Sequence, residues 1–234
     1  MNFVKMIIGT AVVTMLATGC GQDDVTLPDQ VGASGGACGT WYPGGDVETD
    51  GGTNYDFVEG EIIPCFVWES VRVGPQGTDP NAYINMGELH LQYKHGKIDE
   101  IQDKYSDGID APRAIVLSVS ALNCAACQSY ISSIATWRDT LEDDGAILIG
   151  VARSNVAETE WLDMEEADEL ILDEGWPEDL HRTNDAERHL GTLGNIYPMT
   201  AIIDLETMIL LKLDTGQVFF DGESIHNFLA AEYN

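Results

Sequence analysis

Two cysteines separated by two alanines, Cys124-Ala-Ala-Cys127, are the residues of this chain with the clearest capacity for chemistry. They follow a strand-like run over residues 114–119, apolar except for Ser118, and precede a helical pattern over 124–142. A buried strand that delivers a C-x-x-C to the start of a helix sets up thiol chemistry, because the thiolate is the reactive species. Free N–H groups at a helix N-terminus stabilise that thiolate and lower its pKa. Asn123 is the expected N-cap, with Cys124 in the first turn. Ile131, Ile134 and Leu141 continue from Cys127 on one apolar face. Cys127 is therefore expected to point inward and Cys124 to sit at the exposed tip, an attacking thiol backed by a sheltered resolving thiol. Such a pair has two other uses, an inert local disulfide or half of a zinc site. Zinc would want further ligands at short spacing, and the chain has no second C-x-x-C.

The remaining cysteines depend on the chain's location. Lys5 is the only charge before an apolar stretch over residues 6–17, too short to span a bilayer as a mature helix. It runs into Leu16-Ala17-Thr18-Gly19-Cys20, which resembles a bacterial lipoprotein signal ending in the cysteine that becomes lipid-modified. The chain is thus expected to be exported, with Cys20 acylated and residues 1–19 removed. Export places the other four cysteines where disulfides persist. Four allow three connectivities. If Cys124 and Cys127 pair locally, Cys38 and Cys65 pair with each other, closing a loop of about 27 residues. The chain-entropy model assigns such a loop roughly 3–4 kcal/mol. This second pair reads as structural.

A formal charge of −29 excludes one class of partner. Such a surface repels phosphate backbones, so nucleic acid is not expected as a ligand. It also disfavours charge-driven docking on anionic lipid, which leaves the acyl chain as the membrane attachment.

The elements that must position the dithiol follow from the hydrophobic pattern. Residues 20–37 are polar with Gly and Ser and read as a flexible tether. Residues 38–108 form a disulfide-stapled segment of loops and short strand-like pieces, clearest over 62–68 and 71–73; residues 95–112 read as loop. Residues 109–234 hold the main domain. There, a strand (114–119), the helix after the cysteines and a strand (146–151) are followed by an acidic helix with Trp161, Leu162, Leu170 and Ile171 on its apolar side. A short helix is expected near 185–190, then an antiparallel hairpin of 199–203 and 208–213, and a final helix over 222–233. This order implies an α/β fold with a mixed central sheet flanked by helices.

That order, with Cys124-Ala-Ala-Cys127 after the first core strand, resembles the thioredoxin superfamily, and within it the membrane-anchored TlpA/ResA-type redoxins. Glu59-Gly-Glu-Ile-Ile-Pro-Cys-Phe-Val-Trp68 is similar to the opening G-x-x-x-P-x-F segment of that group. Gly175-Trp-Pro177 through Asp185 to His189-Leu190-Gly191 is similar to its inserted segment. Tyr197-Pro198-Met-Thr-Ala-Ile-Ile-Asp204 is similar to its x-P-x-T-x-x-x-D run, in which the proline is cis. The resemblance implies a thioredoxin-like fold with an N-terminal β extension and a thiol–disulfide oxidoreductase in which Cys124 and Cys127 react. Pro198 and the Tyr197 backbone would form the substrate side. No bound cofactor is implied; the partners would be protein thiols or disulfides and a membrane dithiol electron partner. Two positions depart from the pattern. Ser118 stands where thioredoxins place a buried acid, and Tyr130 where the TlpA/ResA type commonly carries a Glu. Neither can serve as a carboxylate base, so a non-catalytic binding lipoprotein with an inert disulfide stays open as the rival reading.

Overall fold

The computed structural model describes residues 42–43, 57–74, 77–106, 108–109, 111–153, 162–185, 190, 197–216 and 221–233. The signal, the tether, Cys20, Cys38, Trp161 and most of the expected 185–190 helix lie outside them.

Seven strands form one mixed sheet in the order β2-β1-β5-β4-β3-β6-β7. Its centre is β3 (Ala114–Ala121), paired in parallel with β4 (Ala146–Arg153) and antiparallel with β6 (Met199–Asp204). Every residue of β3 and β4 is buried, as continuous apolar strands covered on both faces must be. Alternation divides β3 between two cores. Ile115, Leu117 and Val119 join one cluster with Phe66, Trp68, Met86, Leu89, Ile101 and Tyr105. Ala114 and Val116 join the other, beneath α3 (Ala125–Asp143), α4 (Met164–Asp173) and α5 (Gly222–Tyr233). Ile131, Ile134 and Leu141 of α3 are buried there with Ile225 and Leu229 of α5. The expected helix–strand order from 114 onward is present, including the antiparallel hairpin of β6 with β7 (Leu210–Thr215).

Three regions differ from expectation. Residues read as strand pieces and loop form two helices, α1 (Met86–Lys94) and α2 (Ile98–Tyr105). Asn85 caps α1 by accepting a hydrogen bond from the Glu88 N–H at 3.0 Å, a capping signal embedded in a β-like stretch. Of the two strand-like pieces, 71–73 and the end of the first, 67–68, fall in one strand, β1 (Val67–Gly74), paired antiparallel with β2 (Gly77–Asn85), while Ile62 makes only an isolated bridge to Ile209. A further strand, β5 (His181–Asn184), joins β4 in parallel and β1 antiparallel, although its residues are all polar. Their side chains are satisfied by tertiary hydrogen bonds. His181 Nδ1 meets Ser70 Oγ at 2.8 Å, Arg182 pairs with Asp168, and Thr183 donates to the Glu69 carbonyl at 2.5 Å.

Tight turns hold the central unit. Gly145, between α3 and β4, has φ +85, and a Cβ there would meet the Ala111 carbonyl oxygen at 2.3 Å. Gly222 lets α5 approach α3, since a Cβ would lie 2.5 Å from Trp137 Cβ. No helix among the described residues is long and apolar enough to cross a membrane.

Candidate dithiol site

The chain turns from β3 into α3 through Asn123, which has φ +63. Asparagine tolerates this left-handed conformation better than most side chains. The turn corrects the expected cap. Asn123 is spent on reversing the chain, so the extended residue at the helix entrance is Cys124, with φ −96 and ψ 96. Cys124 is itself the N-cap. Its N–H donates to the Ala121 carbonyl at 3.2 Å, and its Sγ accepts from the Cys127 N–H at 3.2 Å. A helix-terminal donor is thus aimed at the sulfur that would carry negative charge on reduction.

Cys124 and Cys127 are joined as a disulfide. Their environments differ as expected from the helical pattern. Cys124 is half-buried at the helix tip, whereas Cys127 has no exposure and faces the sheet. Cys65 is also buried and disulfide-bonded; its expected partner Cys38 lies outside the described residues.

Two further predicted site residues arrive from β6. The Tyr197–Pro198 peptide bond is cis, the isomer that the resemblance implies. In the register of β6 on β3, Met199 lies opposite Val119, so Pro198 sits at the end of the sheet where β3 leads into the cysteines. The Pro198 carbonyl accepts from the Gly216 N–H at 2.9 Å, tying this loop to the end of β7. Near Tyr197 lies a buried ion pair, Arg153 Nε to Asp185 Oδ2 at 3.3 Å. Burial raises the Tyr197 phenol pKa; the nearby Arg153 charge opposes that rise and Asp185 adds to it. Arg153 ends β4, and its carbonyl accepts from the Leu122 N–H at 3.2 Å. The strand ends therefore gather Cys124, Cys127, Tyr197 and Pro198 at one edge. The Arg153–Asp185 pair was not foreseen from the sequence; an arginine closing a fully apolar strand is the signal that pointed to it.

Beneath α3, hydroxyls line the buried face next to the dithiol. The Tyr130 hydroxyl lies 2.6 Å from Thr200 Oγ1, and the Ser118 hydroxyl faces the same phenol. Burial pushes the Tyr130 pKa up to about 12, so it stays neutral near pH 7. A buried carboxyl of α4 packs on this side of the sheet: Glu174, at the C-terminal end of the helix. Burial raises its pKa, and the Ser120 hydroxyl partly offsets the rise.

A parallel β-α-β unit, an antiparallel hairpin, a closing helix, a C-x-x-C at the entrance of the first helix and a cis-proline at the hairpin entrance together define a thioredoxin-like fold. No protein family and no curated protein matches the sequence. Among solved structures, the chain is similar to a putative thiol:disulfide interchange protein DsbE from Chlorobium tepidum, with 13% identity over 75% of this chain and 98% of that one, TM-score 0.48. It is also similar to the thioredoxin domain of a thiol-disulfide oxidoreductase from Bacteroides vulgatus, with 11% identity over 76% of this chain and 100% of that one, TM-score 0.46. Mycobacterium tuberculosis AhpC has 14% identity over 75% of this chain and 92% of its own, TM-score 0.47. The chemistry below rests on this chain's own residues.

Proposed function

We propose that this chain is an exported, lipid-anchored thiol–disulfide oxidoreductase acting through Cys124 and Cys127. The observation that supports it is the asymmetry of the pair, a half-buried Cys124 sulfur facing a helix N–H and a fully buried Cys127 behind it. In the reducing direction the Cys124 thiolate attacks a client disulfide, forming a mixed disulfide and releasing one client thiol. Cys127 then attacks Cys124 Sγ, the Cys124–Cys127 bond forms, and the second client thiol leaves with the electron pair. The oxidising direction is the reverse. Tyr197 and Pro198 would hold the client backbone, Cys20 would carry the lipid and Cys38 would pair with Cys65. Electrons would pass to or from a membrane dithiol protein; no cofactor is required.

The neutral Tyr130 and Ser118 favour the rival reading, a binding lipoprotein with an inert disulfide. Trapping separates the two. Cys127→Ser should accumulate mixed disulfides with client proteins, visible on non-reducing gels, and Cys124→Ser should trap almost none. Alkylation of the reduced protein should show Cys124 titrating below the reference of about 8.5. Equal, slow alkylation of both thiols with no trapped partner would leave the binding reading standing.

A further inference from the structure

The longest uncharged stretch of this chain lies at its dithiol. Acidic side chains number 40 against 11 lysines and arginines, yet no charged residue stands between Arg113 and Arg138. That stretch holds β3, the Asn123 turn, both cysteines and the first turns of α3. The other strand end at the site is equally bare, since Tyr197 through Ile203 carries no charge. Four helices open with carboxylates in the first turn: Glu88 in α1, Asp99 and Glu100 in α2, Glu165 and Glu166 in α4, and Glu223 in α5. The dithiol helix has none. An acid there would favour the helix through its dipole, but it would oppose negative charge on the Cys124 sulfur. The lip around Cys124 is neutral as a result. Asn123, Ala125, Gln128 and Ser129 are exposed on it, and Leu122 and Tyr197 are half-buried.

Carboxylates stand on both sides of this lip. Asn184 Nδ2 donates to the Leu162 carbonyl at 2.9 Å, and Asn184 lies opposite Ala152, which lies opposite Ser120. The α4 helix therefore begins at the end of the sheet where β3 leads into the cysteines. Asp163, Glu165 and Glu166 are exposed there, and Glu169 follows one turn on. On the other side, half-buried Asp214 of β7 lies opposite Thr200, two residues from Pro198. Cations do not offset these charges. Each described lysine sits 2.8–3.3 Å from a glutamate carboxylate, and Arg153 at the end of β4 is paired with Asp185.

We propose that the dithiol selects cationic clients, disulfide-bearing segments with lysines or arginines beside the cysteine. This rests on the oxidoreductase reading above and names its substrate class. The client sulfur reaches Cys124 across the neutral lip, while the client's cations meet the carboxylates of α4 and Asp214. An anionic client meets the same field with the opposite sign. Charges at the surface act over about a Debye length, so the selection lies chiefly in the rate of encounter and fades as salt is added.

The test uses three peptides of equal length, each with one cysteine joined to thiopyridine as a mixed disulfide. The cysteine is flanked by lysines, by serines or by glutamates. The Cys124 thiolate of the reduced protein attacks the peptide sulfur, a new S–S bond forms, and thiopyridine leaves with the electron pair as a chromophore. Cys127 then closes on Cys124, and the peptide leaves as its thiol with the proton that Cys127 gives up. Each rate is divided by that of free dithiothreitol at the same salt, which removes the intrinsic reactivity of the peptides.

At about 10 mM salt the lysine peptide should react about tenfold or more faster than the glutamate peptide, the low end of electrostatic steering, with the serine peptide between them. At about 1 M salt, where the Debye length is about 3 Å, the lysine and glutamate rates should agree within about threefold. Glu165→Gln combined with Glu169→Gln should shrink the low-salt ratio about two- to threefold, and Asp214→Asn should do the same from the other side. The first pair spares Asp163 and Glu166, which cap α4. The salt series uses the unaltered protein and decides the matter should a variant not fold. Equal rates for the lysine and glutamate peptides at low salt, a ratio that high salt leaves intact, or an unchanged ratio in both variants would each overturn the proposal. If Cys127 never releases the serine peptide, the oxidoreductase reading falls and takes this one with it.

Discussion

Glu142 and Glu174 are two buried glutamates near opposite structural tasks, and the difference lies in their partners. Glu142, near the end of α3, accepts a hydrogen bond from Ser106 and another from Arg138 Nε at 3.1 Å. Gly108 opens the space for its carboxylate; a Cβ there would come within 2.3 Å of Glu142 Oε2. Among the described residues, Glu174 meets no cation, and its Oε2 has no hydrogen-bond partner. His181 belongs with Glu142, its two ring nitrogens meeting Ser70 Oγ and the Lys104 carbonyl, each at 2.8 Å. Saturated buried groups specify structure. An unsaturated one stores a cost that packing alone would have removed, and such groups gather where chemistry is done.

The largest effect that tests this contrast comes from His181. Burial lowers its pKa from 6.5 to about 4, so the folded protein takes up the proton later than the unfolded chain. Its stability contribution is intact above pH ~6.5 and is lost as the pH falls through the folded value, about 3 kcal/mol in all. Urea midpoints between pH 7 and 4.5 should fall further for wild type than for His181→Gln, which cannot titrate. Parallel curves would show that the imidazole is not held neutral by its surroundings.

Substituting the glutamates should separate them next. Glu142→Gln loses charge-assisted bonds to Arg138 and Ser106 and should cost about 2 kcal/mol. Glu174→Gln should stabilise rather than destabilise the fold near neutral pH. The sign also depends on pH. Because the folded Glu174 carboxyl keeps its proton to higher pH than the unfolded one, its unfavourable term grows as pH rises above the usual carboxyl range. Glu174→Gln should therefore gain stability on wild type as pH rises through that window and keep the gain beyond it. Equal losses for both variants in chemical denaturation would erase the distinction.

The same contrast explains what could be read from the sequence. Strands β3 and β4 were legible because their runs are mostly apolar, over residues 114–119 and 146–152, and α5 because its buried positions, Ile225 and Leu229, keep helical spacing. The strand β5 was not, because His181, Arg182 and Thr183 are polar residues buried by partners distant in the chain. Helix α1 was hidden in a similar way, since Leu89 is buried alongside His90 and Gln92; His90 Nδ1 reaches the Leu205 carbonyl at 3.0 Å. The cysteines were legible as a reactive pair by spacing and context. The cap was displaced by one residue because a left-handed turn at Asn123 leaves no local sequence signal beyond a tolerant side chain. Glu174 carried no motif; its burial comes from the stop of α4 at Gly175 and the tie of its carbonyl to Ser132.

The smallest effect is expected at Tyr130, and it bears on where the proton goes. Tyr130 is the nearest titratable side chain after Cys127 on the buried face of α3, and its hydroxyl contacts Thr200 at 2.6 Å. With its pKa pushed up to about 12 by burial, the phenol is a poor acceptor for a thiol proton at working pH. Tyr130→Phe removes the hydroxyl's contacts with Thr200 Oγ1 and the Met199 carbonyl, a loss of about 1 kcal/mol. In the oxidoreductase reading it should change the rate of mixed-disulfide resolution by less than about threefold, since both thiols are untouched. Denaturation and the rate of thiol release from a nitrobenzoate disulfide, measured on the same preparation, check both numbers. A slowing of about tenfold or more would mean that the hydroxyl network of Tyr130 and Thr200 takes part in resolution, and the saturated side of the site would then be the working one.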